Sequence, residues 1–177
     1  MFSNIVVQLI GFVGLVFLVL AFQQKKRGGI LGVMLTGQLI FLIHFALLGA
    51  WTGVAMNIVG SFRTLVFRYR GVKKWASGAY WPWIFIALFW AGSLVSWQGM
   101  ISLLPPTAMT IETIGLWMKN PSRIRLINLF PHPFWLAYNM INQSWAGIAT
   151  EVFVIISVMV AILRYDLIPG IRRRRSG

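Results

Sequence analysis

The chain has 177 residues, 58% of them hydrophobic and 11% charged, with a mean hydropathy of +0.77 and a formal net charge of +13. A soluble domain of this length cannot bury so large an apolar share, so the composition excludes an ordinary globular protein and indicates an integral membrane protein. Cysteine is absent, which excludes disulfides, thiolate catalysis and any Cys-ligated zinc or iron–sulfur site.

Crossing a hydrocarbon core takes about 20 helical residues at ~1.5 Å each. Seven windows approach that length: 5–22, 30–48, 51–67, 80–97, 100–118, 124–141 and 145–163. The junctions are short, so the expected fold class is an all-α integral membrane protein in one transmembrane domain, residues 1–177. The first window has no basic residue before it and QQKKR after it, and it is expected to span rather than to be a cleaved signal peptide. The second ends in HFALLG, carrying His44. The third, WTGVAMNIVGSFRTLVF, carries Asn57 and Arg63. The fourth follows YWPW (80–83) and has only Ser93 and Ser96 as polar groups. The fifth opens with Pro105 and Pro106 and holds Glu112. In the sixth, Pro131 and Pro133 predict a break or hinge, because proline lacks an N–H and clashes with the preceding turn. Asn128 and His132 are expected in its inner half, and Asn139, Asn142 and Gln143 at a solvated outer rim. The seventh contains Glu151.

The basic residues follow the odd-numbered windows: Lys25 to Arg27, Arg68 to Lys74, Lys119 to Arg125, and Arg164 with Arg172 to Arg175. The other junctions, LGAW, WQGM and NQSW, are uncharged. If all seven windows span, every basic cluster lies on one side. The positive-inside rule makes that side cytoplasmic, with the N-terminus outside and the C-terminus inside. The lipid bilayer is then the main partner, with anionic headgroups at the basic loops and tail; nucleic acid is not expected.

An internal repeat is visible at an offset of 94 residues. WTGVAMN (51–57) lies over WAGIATE (145–151), so that Trp51 falls on Trp145, Gly53 on Gly147, Asn57 on Glu151 and His44 on Tyr138. A three-helix unit crosses an odd number of times, so one linker helix between two units leaves them parallel. The expected plan is 3-1-3: repeat one at about 5–70, a linker helix at about 78–97, repeat two at about 100–166 and a basic tail at 167–177. This plan resembles those of the SWEET sugar transporters and the PnuC vitamin transporters. The residues HFALLG (44–49), NIVGSFRT (57–64), LLPPTAMT (103–110) and WAGIATE (145–151) resemble more closely the YgjV-type family of bacterial inner membrane proteins. The SWEET resemblance implies a substrate position at Asn57 and Glu151, where SWEETs carry asparagine. Glutamate departs from that pattern, and so does the absence of a first-helix proline.

Intramembrane ionisable groups face the bundle interior and find partners. Arg63 and Glu112 lie at matching inner depths and are the expected buried ion pair or gate; the plain alternative is a structural salt bridge. Asn57, Glu151, His44 and Tyr138 are the candidate substrate-binding set of the outer half, with Pro131 and Pro133 as hinge. A histidine that satisfies a backbone carbonyl and an interfacial tyrosine are the plain alternatives. No metal site or cofactor is expected, because His44, His132, Glu112 and Glu151 are placed at different depths. Catalytic motifs are missing, so no enzyme activity is expected. Two functions compete. One is a transporter or facilitator of a small polar metabolite bearing a hydroxyl, amine or cationic group; the other is a non-transporting scaffold or sensory subunit. A homo-oligomer is compatible with either.

Overall fold

The computed structural model describes residues 2–168, with side chains from Ile5 onward; the tail arginines Arg172 to Arg175 lie outside the described residues. Among the described residues there are eight α-helices and no β-strand. The helices are α1 (Phe2–Phe22), α2 (Arg27–Leu48), α3 (Trp51–Tyr69), α4 (Trp81–Val95), α5 (Leu104–Trp117), α6 (Pro121–Ile127), α7 (His132–Ile141) and α8 (Trp145–Ile162). Three stretches are individually long and apolar enough to cross a membrane: Ile5–Phe22, Arg27–Leu48 and Trp145–Leu167.

Proline decides where the remaining windows depart from single long helices. Window 100–118 begins with a 3-10 turn, Met100–Leu103, and then α5. Pro105 and Pro106 stand in the first turn of α5, where a missing N–H has no helical partner to lose. Window 124–141 is interrupted at 128–131, so it forms two helices, α6 and α7, with Pro131 capping the second. Proline at 131 and 133 cannot donate to the preceding turn, and the break falls where the sequence predicts it.

The helices pack as a closed ring. α1 packs on α2, α2 on α3, α3 on α5, α5 on α7, α7 on α8, and α8 returns to α1, while α4 lies outside against α3 and α5. Exchanging α1 with α5, α2 with α7, and α3 with α8 leaves the order of the ring unchanged. Burial is reversed relative to a soluble protein. Ile5, Phe12, Phe62 and Phe153 are exposed, whereas Arg63 is fully buried and Asn128 and Asn139 are each 1% exposed. An apolar exterior around polar groups suits a hydrocarbon solvent, which cannot hydrogen-bond.

The 94-residue offset reappears in backbone geometry. The turn between α2 and α3 has Gly49 at φ 70°, and the turn between α7 and α8 has Gln143 at φ 52°. Each turn carries the same hydrogen bonds. Ala50 N donates to Phe45 O and Ser144 N to Asn139 O, both at 3.0 Å; Trp51 N donates to Gly49 O at 3.0 Å and Trp145 N to Gln143 O at 3.2 Å. Gly49 adopts the left-handed conformation without a Cβ penalty, whereas Gln143 holds it with one.

Candidate functional site

A cavity of about 80 Å³ lies inside the ring, enough for several water molecules. Twelve of its lining residues form six pairs at the 94-residue offset. They are Leu18 with Glu112, Met34 with Asn128, and Gln38 with His132. The other three are Phe41 with Trp135, Phe45 with Asn139, and Asn57 with Glu151. The cavity therefore sits where two equivalent sets of side chains face each other. Its two walls differ in chemistry. The members from α1 to α3 are apolar or neutral, while those from α5 to α8 include both carboxylates and the imidazole.

On the ionisable wall, His132 Nδ1 lies 2.6 Å from Glu151 Oε2. The His132 Nε2 atom is sealed from the cavity and has no hydrogen-bond partner among the described residues. Glu112 Oε1 lies 3.2 Å from Arg63 Nη2 as an ion pair. Arg63 Nη1 donates to Thr113 Oγ1 at 2.9 Å, and the guanidinium carbon lies 5.3 Å from the Phe89 ring centroid. A fully buried guanidinium needs such partners, because an unpaired buried charge costs several kcal/mol. On the neutral wall, Thr64 Oγ1 donates to Gln38 Oε1 at 2.8 Å, and Asn57 Nδ2 donates to Gly53 O at 2.9 Å. Asn57 Oδ1 makes no hydrogen bond among the described residues and is not sealed, so it remains open on the cavity surface.

The expected site divides. Asn57, Glu151 and Pro131 line the cavity, and Glu112 joins them there while holding Arg63. Pro133 is exposed away from it. His44 and Tyr138 are not among the residues that line this cavity. His44 Nδ1 lies 2.8 Å from Val7 O and its Nε2 2.8 Å from Ser144 Oγ, the N-cap of α8. Tyr138 Oη accepts from Gly53 N in the first turn of α3 at 2.8 Å. Through Ser144 and Gly53, each ties the second helix of one half to the third helix of the other, and His44 also holds α1 through Val7.

Two further corrections concern depth. His132, expected in the inner half, meets Glu151, expected in the outer half. Counted from the outer helix ends, His132 is nine residues in and Glu151 six, a difference of about 4–5 Å at ~1.5 Å per residue. Side-chain reach covers that gap. Asn139, expected at a solvated rim, is 1% exposed and lines the cavity. Sequence reasoning also missed Gln38. Its fall onto His132 at the repeat offset was the available signal.

The basic end carries a second matched arrangement. Arg27, at the start of α2, donates to Phe67 O at the end of α3 at 2.8 Å, and to Leu116 O and Met118 O at the end of α5 at 3.1 and 3.0 Å. Arg125, in α6, donates to Asp166 Oδ1 beyond α8 at 2.9 Å and to Gln24 O beyond α1 at 3.2 Å. Each arginine thus ties the carboxyl ends of one outer-ring pair, α3 with α5 or α8 with α1. Cations are favourable at helix C-termini, whose carbonyls lack partners. Nothing in the sequence separates these two arginines from the exposed cations Lys25, Lys26, Lys73, Lys74 and Arg123 around them.

An all-helical chain with an apolar exterior and a polar interior is a helical membrane protein. Residues 5–167 match the family Imp-YgjV, described as bacterial inner membrane protein, and the chain belongs to that family. No curated protein and no solved structure matches it.

Proposed function

We propose that this inner membrane protein carries a small polar metabolite by alternating access between two parallel three-helix units. In this reading α1–α3 and α5–α8 are the units and α4 is the linker, giving seven crossings with the broken α6–α7 segment counted as one. The N-terminus is outside and the basic end cytoplasmic, against anionic headgroups. The 3-1-3 plan is like that of SWEET and PnuC transporters, and the role is carriage, not catalysis.

One observation carries this reading: six offset-related residue pairs line one cavity between the two units. A site between two equivalent units is reached from either side by rocking one against the other. The clasps give that motion defined contacts to break. His44–Ser144 and Tyr138–Gly53 close the outer end. Arg27 and Arg125 close the inner end. The interruption at 128–131 supplies a hinge beside the cavity.

The chain has no cysteine, so Asn57→Cys in the otherwise unchanged protein is a single reporter. Membrane-impermeant thiol reagents applied to oriented vesicles are expected to reach it from each side, in competing populations. Labelling from one side alone, together with no solute flux in proteoliposomes, supports the second reading of a static scaffold or sensory subunit. That reading is favoured by one feature, the simultaneous closure of both ends by hydrogen bonds.

A further inference from the structure

The two walls of the cavity differ in a way that selects a ligand. The offset pairs set Leu18 against Glu112, Phe45 against Asn139 and Asn57 against Glu151, so one side is apolar to neutral and the other acidic. The acidic side is not fully compensated by its own partners. Glu112 faces a guanidinium that is always charged, in a contact of 3.2 Å. Glu151 faces an imidazole, and the 2.6 Å contact to Nδ1 uses the one N–H that a neutral ring carries. Glu151 makes that contact through Oε2 alone, and its other carboxylate oxygen has no hydrogen bond among the described residues, so the acidic wall offers an open acceptor to the cavity. Asn57 Oδ1 adds an open acceptor at the depth of Glu151.

Resting on the carriage reading above, we infer that the cavity takes a small organic monocation, an ammonium with an apolar body. Its N–H groups are held by Glu151 and Asn57 Oδ1, and its apolar body lies against the opposite wall at Phe41 and Phe45. An ammonium supplies donors only, which suits the open carboxylate and amide oxygens. Aromatic faces on the other wall accept an apolar or partly cationic surface at short range. An anion would meet the uncompensated carboxylate, and a neutral alcohol would leave its charge unmatched. The recognition comes from charge asymmetry between equivalent positions, which neither unit possesses alone.

The test uses the unaltered chain in nanodiscs and three small probes matched to a cavity of about 80 Å³: propylammonium, propan-1-ol and propionate. Calorimetry on the unaltered protein is expected to rank the ammonium about tenfold or more above the alcohol, as a charge-assisted hydrogen bond implies, with the carboxylate weakest. Glu151→Gln is expected to remove that preference. Equal binding of ammonium and alcohol overturns the inference, as does tighter binding of propionate or no ammonium binding at millimolar concentration. Because the ranking is read on the unaltered protein, a variant that fails to fold does not decide the outcome. The thiol-accessibility experiment judges carriage separately, so two-sided access to position 57 with no ammonium preference sinks only the ligand class.

Discussion

The two walls of the cavity occupy the same register of a repeated unit, yet they are held in different ways. On the α1–α3 side, polar groups are neutral and satisfied locally: Gln38 by Thr64, and Asn57 partly by Gly53. On the α5–α8 side, Glu151 depends on His132, and Glu112 depends on Arg63, which reaches across from α3. At the position equivalent to Arg63 stands Ser157, which donates to Val19 O at 2.8 Å and ties α8 to α1 with a neutral bond. The same interface is thus closed once by a buried charge pair and once by a hydroxyl. Duplication provides the geometry, and divergence places both carboxylates on one wall of the cavity.

The largest effect should come from breaking the charged member of that comparison. Arg63→Leu strands Glu112 beside a buried apolar patch and should cost about 3–5 kcal/mol of unfolding free energy. The paired variant Arg63→Leu with Glu112→Leu should recover much of this. Ser157→Ala, at the equivalent place, should cost only ~1 kcal/mol. Denaturant unfolding in detergent measures all three, and a similar loss for both single variants would dissolve the distinction.

A smaller effect should come from the inner clasps. Arg27→Gln leaves three helix-end carbonyls short of a donor, and Arg125→Gln leaves Asp166 without its charge partner. Each should cost roughly 1–3 kcal/mol, and each should raise labelling of Asn57→Cys from the basic side. A response from only one arginine would show that the two interfaces open independently. The smallest effect concerns the outer turns. Gln143→Gly removes the Cβ from a left-handed residue and should stabilise by about 1 kcal/mol, while Gly49→Ala should cost a similar amount. Space around Gly49 is open, so backbone conformation alone decides that change. Thermal unfolding reads both.

Much of the arrangement was legible before any coordinates. The offset between WTGVAMN and WAGIATE predicts the Asn57–Glu151 equivalence, and it extends to the cavity pairs and the outer turns. The proline pair correctly marks the break between α6 and α7. What was misread concerns depth and direction. Residue counting treats window 124–141 as one straight rod with side chains of no length, which sets His132 and Glu151 at different depths. Rim assignment by distance from a helix end placed Asn139 in solvent, although its face of α7 points inward. His44 and Tyr138 correspond at the repeat offset. Their targets, Ser144 and Gly53, lie in the opposite half, and no local pattern names them.

Composition and periodicity by themselves determined that this chain forms apolar helices for a membrane, because hydrocarbon tolerates few unsatisfied polar groups and the chain offers long runs without them. The repeat offset determined which positions correspond. Only the tertiary structure decided which polar groups meet, because a hydrogen bond or ion pair depends on a few ångströms of approach between helices far apart in sequence. That approach turned Arg27 and Arg125 from loop charges into helix clasps. It removed His44 and Tyr138 from the cavity and put His132 beside Glu151 within it.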